Sequence, residues 1–89
     1  MNMSLGGYGY SQFEADSFDR MFNEDDILLV AAAGNGGTAD YHYPASHDSV
    51  MSVAAVDANN NHASFSDYND QVDICARGVQ VRSTIPGNR

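Results

Sequence analysis

Asn35 is the residue whose neighbours best equip it for chemistry. It stands in Val30-Ala-Ala-Ala-Gly-Asn-Gly-Gly37, where an apolar run gives way to small residues and then to one amide side chain. Glycines at 34, 36 and 37 remove bulk around that amide and open backbone angles that other residues resist, so a ligand's main chain can approach closely. An amide N–H presented there is suited to stabilising an oxyanion at a reacting carbonyl. The same stretch has plainer readings. Asn-Gly is the commonest hairpin turn signal, and a glycine-rich turn after a strand can cradle a phosphate. Against the phosphate reading, the loop has no Lys or Arg near it and no clear helical pattern after it.

An amide at that point needs a strand ending beneath it. Ile27 to Ala33 is a continuous apolar run of the kind buried on both faces of a parallel sheet. Upstream, Ser11-Gln-Phe-Glu14 has the form of a capping box, in which the Ser11 hydroxyl and the Glu14 carboxylate satisfy free backbone donors at a helix start. The pattern predicts a helix from about Gln12 to Asn23, with Phe13, Phe18, Met21 and Phe22 on its apolar side and Glu14, Asp16, Asp19 and Arg20 towards water. Glu24-Asp25-Asp26 would oppose the helix dipole at its C-terminus, so the helix should end before them. They lack the alternating spacing of a calcium loop and read as a solvated turn. Asn2 to Leu5 reads as a strand end that breaks at Gly6-Gly7. Strand, helix and strand in that order imply a right-handed crossover, with both strands ending at one edge. Ser4-Leu5-Gly6 and Ala33-Gly34-Asn35 should therefore meet outside the carboxyl ends of the strands, where open α/β sheets bind ligands. Further on, Ser49 to Val56 reads as a buried strand, Asp57 to Asn61 as a turn, and Val72 to Ala76 and Val79 to Ser83 as short strands.

Six blocks follow one another along the chain: Met3-Ser-Leu-Gly-Gly7, Val30 to Gly37, Tyr43-Pro-Ala45, Asp48 to Val56, Ala63-Ser-Phe-Ser66, and Val72-Asp-Ile74 with Gly78-Val79. In this order and spacing, from Asn2 to about Gly87, the chain closely resembles the subtilisin-like serine proteases. The resemblance implies a three-layer α/β fold, a mainly parallel β-sheet flanked by helices, present here as a partial domain over residues 1–89. It implies hydrolysis of peptide bonds through an acyl-enzyme, a polypeptide substrate and an extracellular setting. By residue matching, Asn35 would donate its side-chain N–H to the tetrahedral oxyanion. Ser4, Leu5 and Gly6 would pair with the extended substrate backbone. Ala32, Ala33 and Gly34 would form the opposite wall of the pocket for the residue preceding the cleaved bond, with room for a large apolar side chain. Tyr43-Pro44-Ala45 resembles a loop that in some relatives contributes to a weak cation site, which makes calcium in the parent protein the one cofactor the resemblance raises.

The triad of that family runs Asp, His, Ser along the chain. None of its three motifs falls within residues 1–89: there is no Gly-Thr-Ser or Gly-x-Ser-x-Gly sequence, and His42, His47 and His62 match no catalytic histidine motif. The span is thus expected to be the middle of a catalytic domain, inactive alone. The alternative is a triad-less product of a truncated gene, or one that keeps the peptide-binding strand without the chemistry. Two departures from the family pattern stand out. Cys75-Ala-Arg77-Gly-Val79 has arginine where relatives commonly read Ala-Ala-Pro-Gly-Val, which should loosen that turn, and Asp25-Asp26 stands where many relatives have glycine.

Composition narrows the remaining classes. A net charge of −8, from 12 acidic and 4 basic residues, argues against nucleic acid as a partner, because a phosphate-backbone binder needs a basic patch. The run Ile27 to Ala33 is far shorter than the roughly 20 residues that span a membrane, and Met1 opens no signal-peptide pattern. Cys75 is the only cysteine, so no intrachain disulfide can form, and its neighbours Ile74 and Ala76 predict a buried small residue. The three histidines have no metal-ligand spacing and read as surface or loop residues.

Overall fold

In the computed structural model, which describes residues 1–84 and 86–87, the chain runs β1 (Asn2–Met3), α1 (Gln12–Asn23), β2 (Leu29–Ala32), β3 (Val50–Val56) and β4 (Ile74–Arg77). The strands form one sheet in the order β1-β2-β3-β4, each neighbouring pair parallel. Parallel neighbours cannot be joined by a tight turn. The segments between strands therefore have to cross back over the sheet, α1 in the first case and the long loops in the others.

The helix begins and ends where its local sequence predicts. Ser11 is extended, with φ −131°, and its hydroxyl accepts the Glu14 N–H at 3.2 Å. Only this half of the capping box forms, because the Glu14 carboxylate bonds His47 instead, Oε1 to Nε2 at 2.9 Å. Ala15, Phe18 and Met21 make the inward stripe, while Phe13, 83% exposed, and Phe22, 46% exposed, lie off it. One narrow stripe is all that a single helix can bury against a flat sheet, so the wider apolar side expected from the sequence is not used.

At the helix end the Glu24 N–H donates to Arg20 O at 2.8 Å and the Ile27 N–H to Met21 O at 3.0 Å. Asp26, at φ +54°, turns the chain towards β2 in a left-handed conformation that glycine adopts freely. Asp26→Gly is expected to stabilise the fold by about 0.5 kcal/mol, the left-handed penalty less the extra freedom of an unfolded glycine. Chemical denaturation checks this, and a lowered midpoint would refute it.

The sheet has two unlike faces. Met3, Leu29, Ala31 and Val50 lie on the face under Phe18 and Met21, with Ala45 beside them, and form the core. Val30, Ala32, Val53 and Ala55 alternate with them and line an open hollow of about 430 Å³ on the other side. The run Ile27 to Ala33 is therefore not buried on both faces. Leu29, Ala31 and Ala33 are buried, whereas Ile27 and Leu28 are exposed, because α1, the one helix among the described residues, covers one face only. Cys75, expected inside, is exposed on the edge strand β4. No strand forms over Val79 to Ser83: the Gly78 N–H to Val56 O bond at 3.0 Å is followed by Gln80 at φ +53°, which interrupts extended backbone. The turn at Asp57 to Asn61 is present, closed by Asn60 N–H to Asp57 O at 3.0 Å.

Candidate active site

Because β1 and β2 are parallel, their carboxyl ends reach the same edge of the sheet. Just beyond them Ser4, Leu5 and Gly6 face Ala32, Gly34, Asn35 and Gly36 across a pocket of about 330 Å³ closed by Tyr8 and His42. That volume lies in the range of pockets that take a small ligand or a large side chain. Of the residues singled out from the sequence, Ala33 alone lies outside this lining. It is buried, and its N–H donates to Val53 O at 2.9 Å. Leu5, by contrast, is 65% exposed. It is therefore no part of the core.

The floor of the pocket has no local signature in the sequence. Gly7 and Tyr43 exchange backbone hydrogen bonds of 2.8 and 2.6 Å, which tie the arm after β1 to the loop before β3. The His42 imidazole then sits between the two walls. A Cβ on Gly6 would stand 2.7 Å from His42 Nδ1, and one on Gly34 would stand 3.0 Å from His42 Cγ. Tyr8 meets the imidazole edge-on, with ring centroids 5.1 Å apart. Glycine at 6 is thus required by groups from a distant part of the chain, the His42 ring and the Tyr43 carbonyl, and the same ring also crowds Gly34.

Asn35 is exposed and borders both this pocket and the hollow beside it. Its loop is zipped to the segment 65–68: Gly37 N–H to Phe65 O is 2.8 Å, Asp67 N–H to Gly34 O 3.0 Å and Tyr68 N–H to Thr38 O 2.9 Å. The side chain of Asp67 adds an acceptor for the Thr38 N–H at 3.1 Å. The loop connects parallel strands, so Asn35-Gly36 is not a β-hairpin turn. It continues as bends to Ala39, with no helix directly after it among the described residues, so the helix N-terminus that a phosphate cradle would use is missing.

The histidines divide. His62 is exposed, its Nε2 2.8 Å from Ser66 O. His47, expected at the surface, is 4% exposed, packed among Tyr10, Phe18 and Tyr43 at centroid distances of 5.7, 5.7 and 4.8 Å. Its bond to Glu14 pins the start of α1 to the loop beneath the pocket. His47→Ala is expected to cost about 2–4 kcal/mol, from the cavity it leaves and the partner Glu14 loses. An unchanged denaturation midpoint would contradict this.

A further tie joins two outer loops. The Tyr41 hydroxyl donates to Asp70 Oδ1 at 2.7 Å, and that bond, with the charge of Asp70, raises the phenol's pKa above its ordinary value. Among the described residues no group of three or more His, Cys, Asp or Glu side chains could hold a metal ion. None of the described helices is long and apolar enough to cross a membrane.

A parallel sheet whose strand ends frame a pocket, with an amide at its mouth, is an α/β arrangement of the class in which ligands sit outside the carboxyl edge of the sheet. The chain belongs to the subtilase family, whose Peptidase S8 model matches residues 1–89. It is 48% identical over its whole length to a thermostable alkaline protease of Halalkalibacterium halodurans and covers 24% of that protein. With subtilisin DY of Bacillus licheniformis it shares 44% identity over 99% of the chain and 33% of the relative. The crystal structure of a psychrophilic subtilisin-like protease from the Antarctic psychrotroph Pseudoalteromonas sp. AS-11 superposes with a TM-score of 0.82 at 55% identity, covering 85% of this chain and 17% of that one. The chain thus spans a third or less of each of these proteins, and its sheet and helix are part of a subtilisin-like α/β domain.

Proposed function

We propose that this chain supplies the oxyanion donor and part of the substrate cleft of an extracellular serine endopeptidase. The observation that supports this most is one pocket bordered by Ser4, Leu5 and Gly6 on one side and Ala32 and Gly34 on the other, with Asn35 at its mouth. A substrate lies extended along Ser4-Leu5-Gly6, where main-chain hydrogen bonds give affinity without demanding a sequence and the pocket supplies preference. The side chain preceding the cleaved bond enters between the walls. As the carbonyl becomes tetrahedral, the Asn35 side-chain N–H donates to the oxygen that gains charge. The nucleophile, its base and the orienting carboxylate come from segments whose motifs are not among these 89 residues, so the span alone turns over nothing.

The test is to sequence the coding DNA on both sides of this span, express the whole product and assay it on chromogenic peptides. Flanking Asp, His and Gly-Thr-Ser motifs, with turnover abolished by a serine-directed acylating reagent, are the expected result. A product without those motifs that binds peptides and leaves them intact would sink the peptidase reading.

A further inference from the structure

The mechanism leaves Asp67 unused, although it is fully buried and lies directly beneath the Asn35 loop. Both glycines flanking Asn35 rest on its carboxylate: a Cβ on Gly34 would collide with Oδ2, and one on Gly36 would stand 3.0 Å from Oδ1. The same residue grips the loop at two points, its N–H donating to Gly34 O at 3.0 Å and its Oδ1 accepting the Thr38 N–H at 3.1 Å. Its Oδ2 is buried without a hydrogen-bond partner among the described residues. Burying such a group costs stability, and a small or apolar residue would fill the space at less cost. Asp67 does not line the pocket, so it has no contact through which to act on a substrate directly.

We propose that Asp67 is the positioning residue for Asn35, holding the Gly34 to Thr38 loop at both ends so that the amide is presented in one orientation. The inference rests on the oxyanion role of Asn35 proposed above. Rigid support matters there because a donor displaced by a fraction of an ångström loses much of its effect on the transition state. Asn at this position would keep an oxygen for the Thr38 N–H, whereas Ala would release that end of the loop.

The experiment is a double-mutant cycle in the full-length protein that carries this span, with active sites titrated and kcat and KM measured separately on a chromogenic peptide. Asp67→Ala is expected to lower kcat about tenfold or more with KM within about twofold, and Asp67→Asn to restore most of it. In an Asn35→Ala background, Asp67→Ala should cost nothing further, since the group it positions is gone. An undiminished kcat, a loss confined to KM, or an effect that simply adds to that of Asn35→Ala overturns the inference. If Asp67→Ala does not fold, Asp67→Glu carries the test: displacing the carboxylate by one methylene should lower kcat alone, and an unchanged kcat overturns the inference. Should Asn35→Ala itself leave kcat intact, the oxyanion reading fails and this inference with it. An intact Asn35 effect with an additive Asp67 loss removes this inference only.

Discussion

Replacing Asn35 by alanine in the full-length protein is expected to lower kcat by about 10²–10³ while KM stays nearly constant. That magnitude belongs to the oxyanion-hole asparagine of a subtilisin and is carried over from it. The split between kcat and KM follows from the geometry. A donor aimed at the oxyanion is idle in the ground state, where the carbonyl is planar and carries little charge, so its removal raises the barrier without weakening binding. Asn35 is exposed and has few neighbours to lose, so the thermal midpoint should move by no more than the surface-substitution range of about 0.5 kcal/mol. Asn35→Asp retains the shape but offers a charged acceptor in place of the donor, and should be at least as slow. A variant with wild-type kcat would exclude Asn35 from the reaction.

The second large effect is structural. Gly34 sits at φ +124°, and a Cβ there would run into Asp67 Oδ2 and come within 3.0 Å of His42 Cγ. An L-residue is strained at that angle whatever the space, and here the space is filled by the buried Asp67 carboxylate and the half-buried His42 ring. Gly34→Ala should therefore cost about 3–5 kcal/mol, a large share of the ~5–15 kcal/mol that holds a typical domain together. The expected observation in the full-length protein is a steep fall in the thermal midpoint, or failure to fold. The cost has two parts that can be separated. Removing the carboxylate with Asp67→Gly relieves the collision and leaves the backbone strain, so the double variant should recover part of the loss but not all of it. A Gly34→Ala protein within about 1 kcal/mol of wild type would mean that the loop has another conformation.

How much of this was legible in the residues depends on the range of the interaction that decides each feature. The helix was readable because its limits are set within a turn or two, by the Ser11 hydroxyl on the Glu14 N–H and by the acids after Asn23. Ser49 to Val56 was readable as a strand because apolar residues fill it apart from Ser49 and Ser52, and Val50–Val56 is the strand that forms. Val79 to Ser83 misled because apolar alternation records only what side chains favour, whereas the conformation of Gln80 ends the extended backbone there. Glu14 misled in the same way, since a distant His47 outcompeted the local backbone donor for its carboxylate.

By itself the sequence determined the order of the elements, the blocks that carry the resemblance, and the identity of the amide that stands after β2. Only the tertiary structure decided that His42 fills the space between Gly6 and Gly34, that Asp67 lies beneath Asn35, and which face of the sheet is covered. The reason is physical. Helix caps and strand periodicity are properties of neighbouring residues, whereas the walls and floor of a pocket are set by close packing between segments far apart in the chain, and no local pattern records which side chain will arrive to fill a given gap.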